Sequence, residues 1–295
     1  MAAGSTRLTR RAVVVLIASA AIVARGVDPR AAEAPKRIVS LVPALTEMLY
    51  AIGAGPQVVG VSSFDDFPPQ VKSLPRVGAL VDPDMERILS LRPDLVIVYG
   101  SQTTVETQLA RAGIRAYNYR HAGLAGIFST IRDLGRTVGR ERESERLAQQ
   151  IQQRLDSVQA RVATQPKIRT LLVFERDLGS LRGLYASGGV GFMHDILLIA
   201  GGTNVFADVP REAVQPSVET ILARAPSAIL EVRPTGLPRE RIPDERRVWD
   251  SLPSIPAVRD GRIRIVTDDY LVTPGPRVAQ AAEAIARLIH PEAFK

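Results

Sequence analysis

The sequence predicts an α/β protein of two lobes, each with a mainly parallel sheet flanked by helices, bridged by one long α-helix. Three observations carry this. Short β-rich runs alternate with helical ones from Lys36 onward, the alternation begins again after position 166, and an unbroken helical stretch separates the two series. Such alternation favours parallel strands covered by helices on both faces, because every crossover returns the chain to the same sheet.

The first 34 residues precede this pattern. Arg7, Arg10 and Arg11 lead into the uncharged run from Ala12 to Ala24, and "AAEA" ending at Ala34 supplies the small residues of a cleavage site. This is the arrangement of a cleaved export signal over 1–34, and the run falls short of the roughly 20 residues a helix needs to cross a bilayer. "TRRAVV" also admits the twin-arginine route, although it lacks the usual following Phe-Leu pattern. A periplasmic or otherwise exported location is therefore expected.

The N-terminal lobe is expected over residues 36–139. Strands are predicted at "RIVSLV" (37–42), "QVVGVS" (57–62), "DLVIVY" (94–99) and "IRAYNY" (114–119), each bounded by Gly, Pro or polar residues. Helices are predicted at "LTEMLYAIG", "MERILSL" and "TVETQLARAG", each stopping near Gly or Pro. The connecting helix is expected over 141–163, where Leu147, Ile151, Leu155, Val158 and Val162 line one face without an intervening Gly or Pro. At ~1.5 Å per residue it extends roughly 34 Å, enough to reach from one lobe to the other with little hinge freedom. The C-terminal lobe, 167–295, repeats the scheme with strands at "IRTLLVFE", "SAILEV" and "RIRIV", a helix at "GFMHDILLIAGG" and a last helix from about Pro276 to Ile289.

Composition narrows the function classes. Lys and Arg outnumber Asp and Glu by 38 to 31, but Arg7, Arg10, Arg11, Arg25 and Arg30 belong to the leader, and no basic run is interleaved with aromatics, so nucleic acid is not expected. The absence of cysteine excludes disulfides, a lipoprotein anchor and thiolate metal sites, and three histidines are too few for a transition-metal cage. No metal ligands, catalytic residues or resident cofactor are expected. There is no G-x-G-x-x-G after a strand, no P-loop, no G-x-S-x-G and no H-E-x-x-H. "SGGVGF" (187–192) opens a helix and either cradles an anion or, preferably, permits close packing.

One phrase occurs twice at a constant offset. In "PDMERILSLRPDLVIV", Pro83, Glu86, Ile88, Leu89 and Pro93 recur as Pro216, Glu219, Ile221, Leu222 and Pro226 of "PSVETILARAPSAILE". Asp84 and Ser217 are matching N-caps, so both phrases begin a short helix that a proline ends. Glu86 and Glu219 suit the helix dipole, which explains either glutamate singly; as a matched pair on matched lobes they also suit a two-fold symmetric partner.

The order of "RIVSLVPALTEMLYAIG", "VVGVSSFDDFPPQ", "LPRVG", "MERILSLRPDLVI", "SGGVGFMHDILLIAGGTNVFAD", "SVETILARAPSAIL" and "TPGPRV" resembles the periplasmic substrate-binding proteins of ABC importers for cobalamin, haem and iron chelates, nearest its cobalamin-binding members. The resemblance covers about Lys36 to the C-terminus. It implies a monomeric, non-catalytic protein that captures a metal chelate as cargo, a cobalamin or related corrinoid first, and presents it to a dimeric membrane permease. Glu86 and Glu219 would dock against permease arginines, setting orientation more than affinity.

Cargo in such folds lies at the carboxyl ends of the strands. The expected ligand-binding residues there are Phe64, Asp66, Leu80 and Tyr99 in the first lobe, and Tyr185, Ala213, Asp269 and Tyr270 in the second. The resemblance implies that Phe64, Tyr99, Tyr185 and Tyr270 wall the pocket and that Asp269 makes a polar contact. The family's pocket carries tryptophans where this chain has Leu80 and Ala213, and an arginine where it has Thr273, so a ferric siderophore or haem is the alternative cargo. For a siderophore Arg120, Arg176, Arg182 and Arg233 lie near strand ends; against haem, Ala79 or Leu80 occupies the place of a frequent tyrosine ligand. An α/β enzyme and an exported sensor that has lost its permease are the remaining readings.

Overall fold

The computed structural model describes residue 1, residues 33–233 and residues 237–295. Apart from its two ends, the expected export signal lies outside the described residues.

The first sheet contains β1 (Ile38–Ser40), β2 (Val58–Val61), β3 (Leu95–Tyr99) and β4 (Arg115–Tyr119), all parallel and in the order β2-β1-β3-β4. The connections are α1 (Pro43–Ala51), α2 (Met85–Ser90) and α3 (Thr103–Arg111). β1 and all of β3 except Tyr99 are buried, as the Leu-Val-Ile-Val run of β3 and the Ile-Val pair of β1 require of strands covered on both faces. The chain then forms α4 (Gly123–Val138), a helix the sequence reading does not anticipate. Its three glycines lower helix propensity, yet Ile127, Ile131, Leu134 and Val138 form a buried stripe, and Gly139 at φ 69° closes the helix in a left-handed cap. A Cβ on Gly135 would lie 2.1 Å from Ser144 Oγ, so glycine there permits close approach of the next helix, α5 (Glu141–Val162).

The second sheet holds β5 (Ile168–Glu175), β6 (Tyr185–Ser187), β7 (Gly202–Asn204), β8 (Ala213–Val214), β9 (Ala228–Val232) and β10 (Ile263–Val266), with α6 (Phe192–Ile199), α7 (Val218–Arg224), α8 (Ile242–Arg247), α9 (Pro256–Arg259) and α10 (Val278–Ile289). β10, β9, β5 and β7 are parallel, while β6 and β8 add an antiparallel edge. The edge strands are two or three residues long, too short to leave a periodic signal.

Between the sheets, α4, α5, α6 and α10 form one apolar layer. Ile151, Leu155, Val158 and Val162 of α5 belong to the same buried cluster as Leu45 and Ile97 of the first lobe and Leu230 and Ile285 of the second. Leu147 packs against this cluster from a half-buried position.

The repeated phrase is a repeated piece of structure. Asp84 accepts a hydrogen bond from Arg87 N at 2.9 Å, and Ser217 Oγ accepts one from Thr220 N at 3.2 Å, capping α2 and α7. At the other ends, Arg37 Nη2 donates to Leu91 O at 2.7 Å and Arg169 Nη2 donates to Arg224 O at 2.6 Å, so an arginine beside each central strand satisfies a helix-terminal carbonyl. Arg92 and Ala225, each directly before the closing proline, adopt φ 47° and 44°, the non-glycine positive values among the described residues. Ile88 and Ile221 are buried, whereas Leu89 and Leu222 remain 40% and 37% exposed beside the exposed Glu86 and Glu219. A Cβ in the left-handed region is unfavourable by about 1–2 kcal/mol, part of which glycine gives back through unfolded-chain entropy. Ala225→Gly should therefore raise unfolding stability by about 0.5–1 kcal/mol in urea titrations.

Candidate functional site

A cleft of about 510 Å³ opens between the carboxyl end of the first sheet and the second lobe. His121, just past β4, lines it from the first lobe; Phe174, Val190, Phe192, Met193, Glu212, Ala213, Val272 and Pro274 line it from the second. The wall behind His121 is aromatic. Its ring meets Phe192 edge-on at 5.4 Å between centroids, its Nδ1 lies 3.0 Å from Tyr119 Oη, and Tyr119 meets Tyr99 edge-on at 6.0 Å. Burial first, and the nearby Tyr99 and Glu212 next, push the Tyr119 phenol up to about 12. The tyrosines of the wall are thus neutral, and the wall is largely apolar, with imidazole and carboxylate as its polar groups.

The glycines of "SGGVGF" shape this floor without cradling an anion. Gly188 N donates to Glu212 O at 3.1 Å and Gly189 N to Val209 O at 2.8 Å, so both donors are occupied. A Cβ on either would lie about 2 Å from the carbonyl oxygens of Arg211 or Ala207, and glycine is required for this close backbone contact.

At the cleft edge Arg277 joins the lobes. Its Nε donates to Glu47 Oε2 at 2.8 Å, while Nη1 and Nη2 donate to the two Asp269 oxygens at 2.9 and 2.7 Å. Phe67 covers the guanidinium at 4.2 Å and Tyr270 lies at 5.7 Å. Arg277 holds Asp269 below the usual carboxylate range, whereas burial outweighs the same arginine at Glu47 and raises it. The side chain of Arg277 is 13% exposed and that of Glu47 is 4% exposed, so this is a nearly dry pair.

Beneath the same edge Asp65 is fully buried, accepts from Ser62 N at 2.9 Å through Oδ2, and leaves Oδ1 without a hydrogen-bond partner. Burial, opposed by its hydrogen bonds and by Arg76, pushes this carboxyl up to about 6.

Of the arginines weighed as chelate clamps, Arg120 and Arg182 are exposed, whereas Arg176 and Arg233 are engaged within the second lobe. Arg176 is sealed in the second lobe, donating to Glu231 at 3.1 Å and Glu245 at 2.9 Å, and Arg233 donates to the same Glu231 at 2.7 Å, with Trp249 Nε1 completing that carboxylate's shell at 3.1 Å. Both are structural, since their charges are spent on buried carboxylates.

A "Periplasmic binding protein" family model matches residues 38–270. The chain belongs to this family. An uncharacterized ABC transporter substrate-binding lipoprotein of Bacillus subtilis strain 168 is 31% identical over 88% of this chain and 82% of its own length. The vitamin B12-binding protein of Salmonella typhimurium is 30% identical over 87% of this chain and 91% of its own. Among solved structures, the periplasmic heme-binding protein RhuT of Roseiflexus sp. RS-1 in apo form superposes with a TM-score of 0.73 at 27% identity, covering 88% of this chain and 99% of that one. The two-lobed α/β architecture expected from the sequence is that of the family, and the family's work is binding and transport.

Within this periplasmic binding protein the expected ligand residues fall into three groups. Ala213 lines the cleft. Asp269 and Tyr270 gather around Arg277 at its edge, and Tyr99 backs the aromatic wall. Phe64, Asp66, Leu80 and Tyr185 are not among the cavity-lining residues. Phe64 is 72% exposed on the loop after β2, and Leu80 is 43% exposed, its carbonyl held by Gln102 Nε2 at 3.0 Å. Tyr185 is half-buried in β6 opposite Glu175. His121, Phe192 and Glu212 went unmarked in the sequence, although the strand-end rule applied to β4 points one residue past Arg120 to His121.

The raised Asp65 carboxyl has a thermodynamic consequence. The folded state binds this proton more tightly than the unfolded chain, whose value is near 3.8. The resulting stabilisation is complete below that value and is lost as pH rises through about 6. Relative to Asp65→Asn, the wild type should lose on the order of 2 kcal/mol of stability between pH 4 and pH 7.5, read from denaturant midpoints at each pH.

Proposed function

We propose that this protein captures a metal chelate, a cobalamin or related corrinoid first, in the His121–Ala213 cleft and delivers it to a dimeric ABC permease. The observation that carries the corrinoid reading is the 30% identity to a vitamin B12-binding protein sustained over nearly the whole of both chains. The cleft agrees with it: about 510 Å³ is within the size of small-molecule sites, and the lining is apolar and aromatic with few polar groups. Tyr99, Ala213, Asp269 and Tyr270 serve this site, with Phe64, Asp66, Leu80 and Tyr185 approaching the cargo from their loops and strand edge. Export proceeds through the leader, which is cleaved, and the mature chain acts as a monomer.

Haem is the second reading, favoured by the likeness to a heme-binding protein and by a wall that offers an imidazole beside a tyrosine. Cyanocobalamin, cobinamide, ferric haem and several ferric siderophores titrated side by side by calorimetry separate these cargoes. Saturable heat is expected with the corrinoids; heat with haem or siderophores alone would reject the corrinoid reading.

Docking is proposed at Glu86 and Glu219, carried by two exposed carboxylates on equivalent helices. The Ser217 hydroxyl lowers the Glu219 carboxyl, so it is ionised at neutral pH. Glu86→Arg with Glu219→Arg should abolish uptake in cells while leaving cargo affinity within two-fold; unchanged uptake would rule out docking at these residues.

A further inference from the structure

The chemistry of the cleft wall singles out one atom, Nε2 of His121. Of the three histidines, His194 is buried beside Asn204 and His290 is buried against Gly201 O at 3.2 Å, so neither faces the cleft. His121 is 26% exposed in its side chain, and its orientation is fixed from behind. Nδ1 lies 3.0 Å from Tyr119 Oη and the ring packs edge-on against Phe192, which leaves Nε2 directed toward Glu212, another residue of the cleft. Nε2 and Glu212 Oε1 are 4.0 Å apart, beyond hydrogen-bond length, and the Glu212 side chain is 59% exposed and free to turn into solvent.

An imidazole held through Nδ1 by an oxygen, with Nε2 presented to an open space, is the arrangement of a metal-ligating histidine with its outer partner. Among the described residues there is no cluster of three or more His, Asp or Glu side chains that would hold a bare ion. A single imidazole is nevertheless sufficient for a metal whose four equatorial positions are already filled by a macrocycle and whose axial position is open. We propose that His121 Nε2 binds the axial position of the cargo metal, cobalt of a corrinoid or iron of haem. This rests on the reading of the cargo as a metal chelate and adds the residue that recognises its metal.

The step is a ligand exchange. The Nε2 lone pair forms the nitrogen–metal bond, the axial water leaves as water, and the metal keeps its oxidation state. Nδ1 carries the ring proton throughout and donates it to Tyr119 Oη, which makes Tyr119 a positioning residue.

Absorption spectra of the full protein with aquocobalamin and with ferric haem test this. In at least one of them the wild type should show the band shift of water replaced by imidazole, and His121→Gln should lose that shift while its far-ultraviolet dichroism stays that of the folded protein. Should His121→Gln fail to fold, His121→Tyr serves with haem, where the imidazole spectrum must give way to that of a phenolate ligand. Absence of a shift with both macrocycles, or a shift that persists without His121, overturns the proposal. Calorimetry with cyanocobalamin, whose axial site is closed by cyanide, reports on the corrinoid reading separately. Cyanocobalamin binding without any aquocobalamin or haem shift leaves that reading standing and overturns axial ligation, whereas a haem shift without cyanocobalamin binding does the reverse.

Discussion

Arg277 carries the geometry of the cleft. It takes Glu47 from α1 on one side and Asp269 from the loop after β10 on the other, so one guanidinium fixes the distance between the two lobes at the place where they face each other. Only arginine has the planar set of donors that engages two carboxylates at once. Removing it would leave the buried Glu47 carboxyl, 4% exposed, without its partner, at a cost of about 3–5 kcal/mol. The stacking of Phe67 on the guanidinium extends the same junction across the lobes.

The apolar layer of α4, α5, α6 and α10 does for the back of the molecule what Arg277 does for the edge. Its residues form one cluster with the inner faces of both sheets. Sliding the lobes apart would expose that surface at roughly 25 cal/mol per Å², so large opening is unfavourable. Movement at the cleft is then left to exposed side chains of its lining such as Glu212 and Val190. A cleft held this way is preorganised, and little binding energy is spent on closing it.

Much of the frame was legible from the residues. β5 begins and ends where its sequence run does, and α5 follows its heptad-like stripe, because long periodic segments outvote local noise. α4 was not legible: Gly123, Gly126 and Gly135 argue locally against a helix and find their reason only in packing that the sequence does not display. The site was read less well than the frame. Of the strand-end residues, Ala213 falls in the cleft lining while Tyr99 and Asp269 lie outside it; Phe192 and Met193 read as ordinary helix core, and the pairing of Arg277 with Glu47 joins residues that nothing in the sequence connects.

The doubled helix of α2 and α7 has a mechanical meaning. Each is clamped at both ends, by an oxygen cap in front and by an arginine and a left-handed residue behind, so Glu86 and Glu219 ride on stiff mounts. With the lobes held by Arg277 and the helical layer, the span between those carboxylates is set by the frame. Under the docking proposed above, a partner with its own fixed span would measure the molecule as a whole.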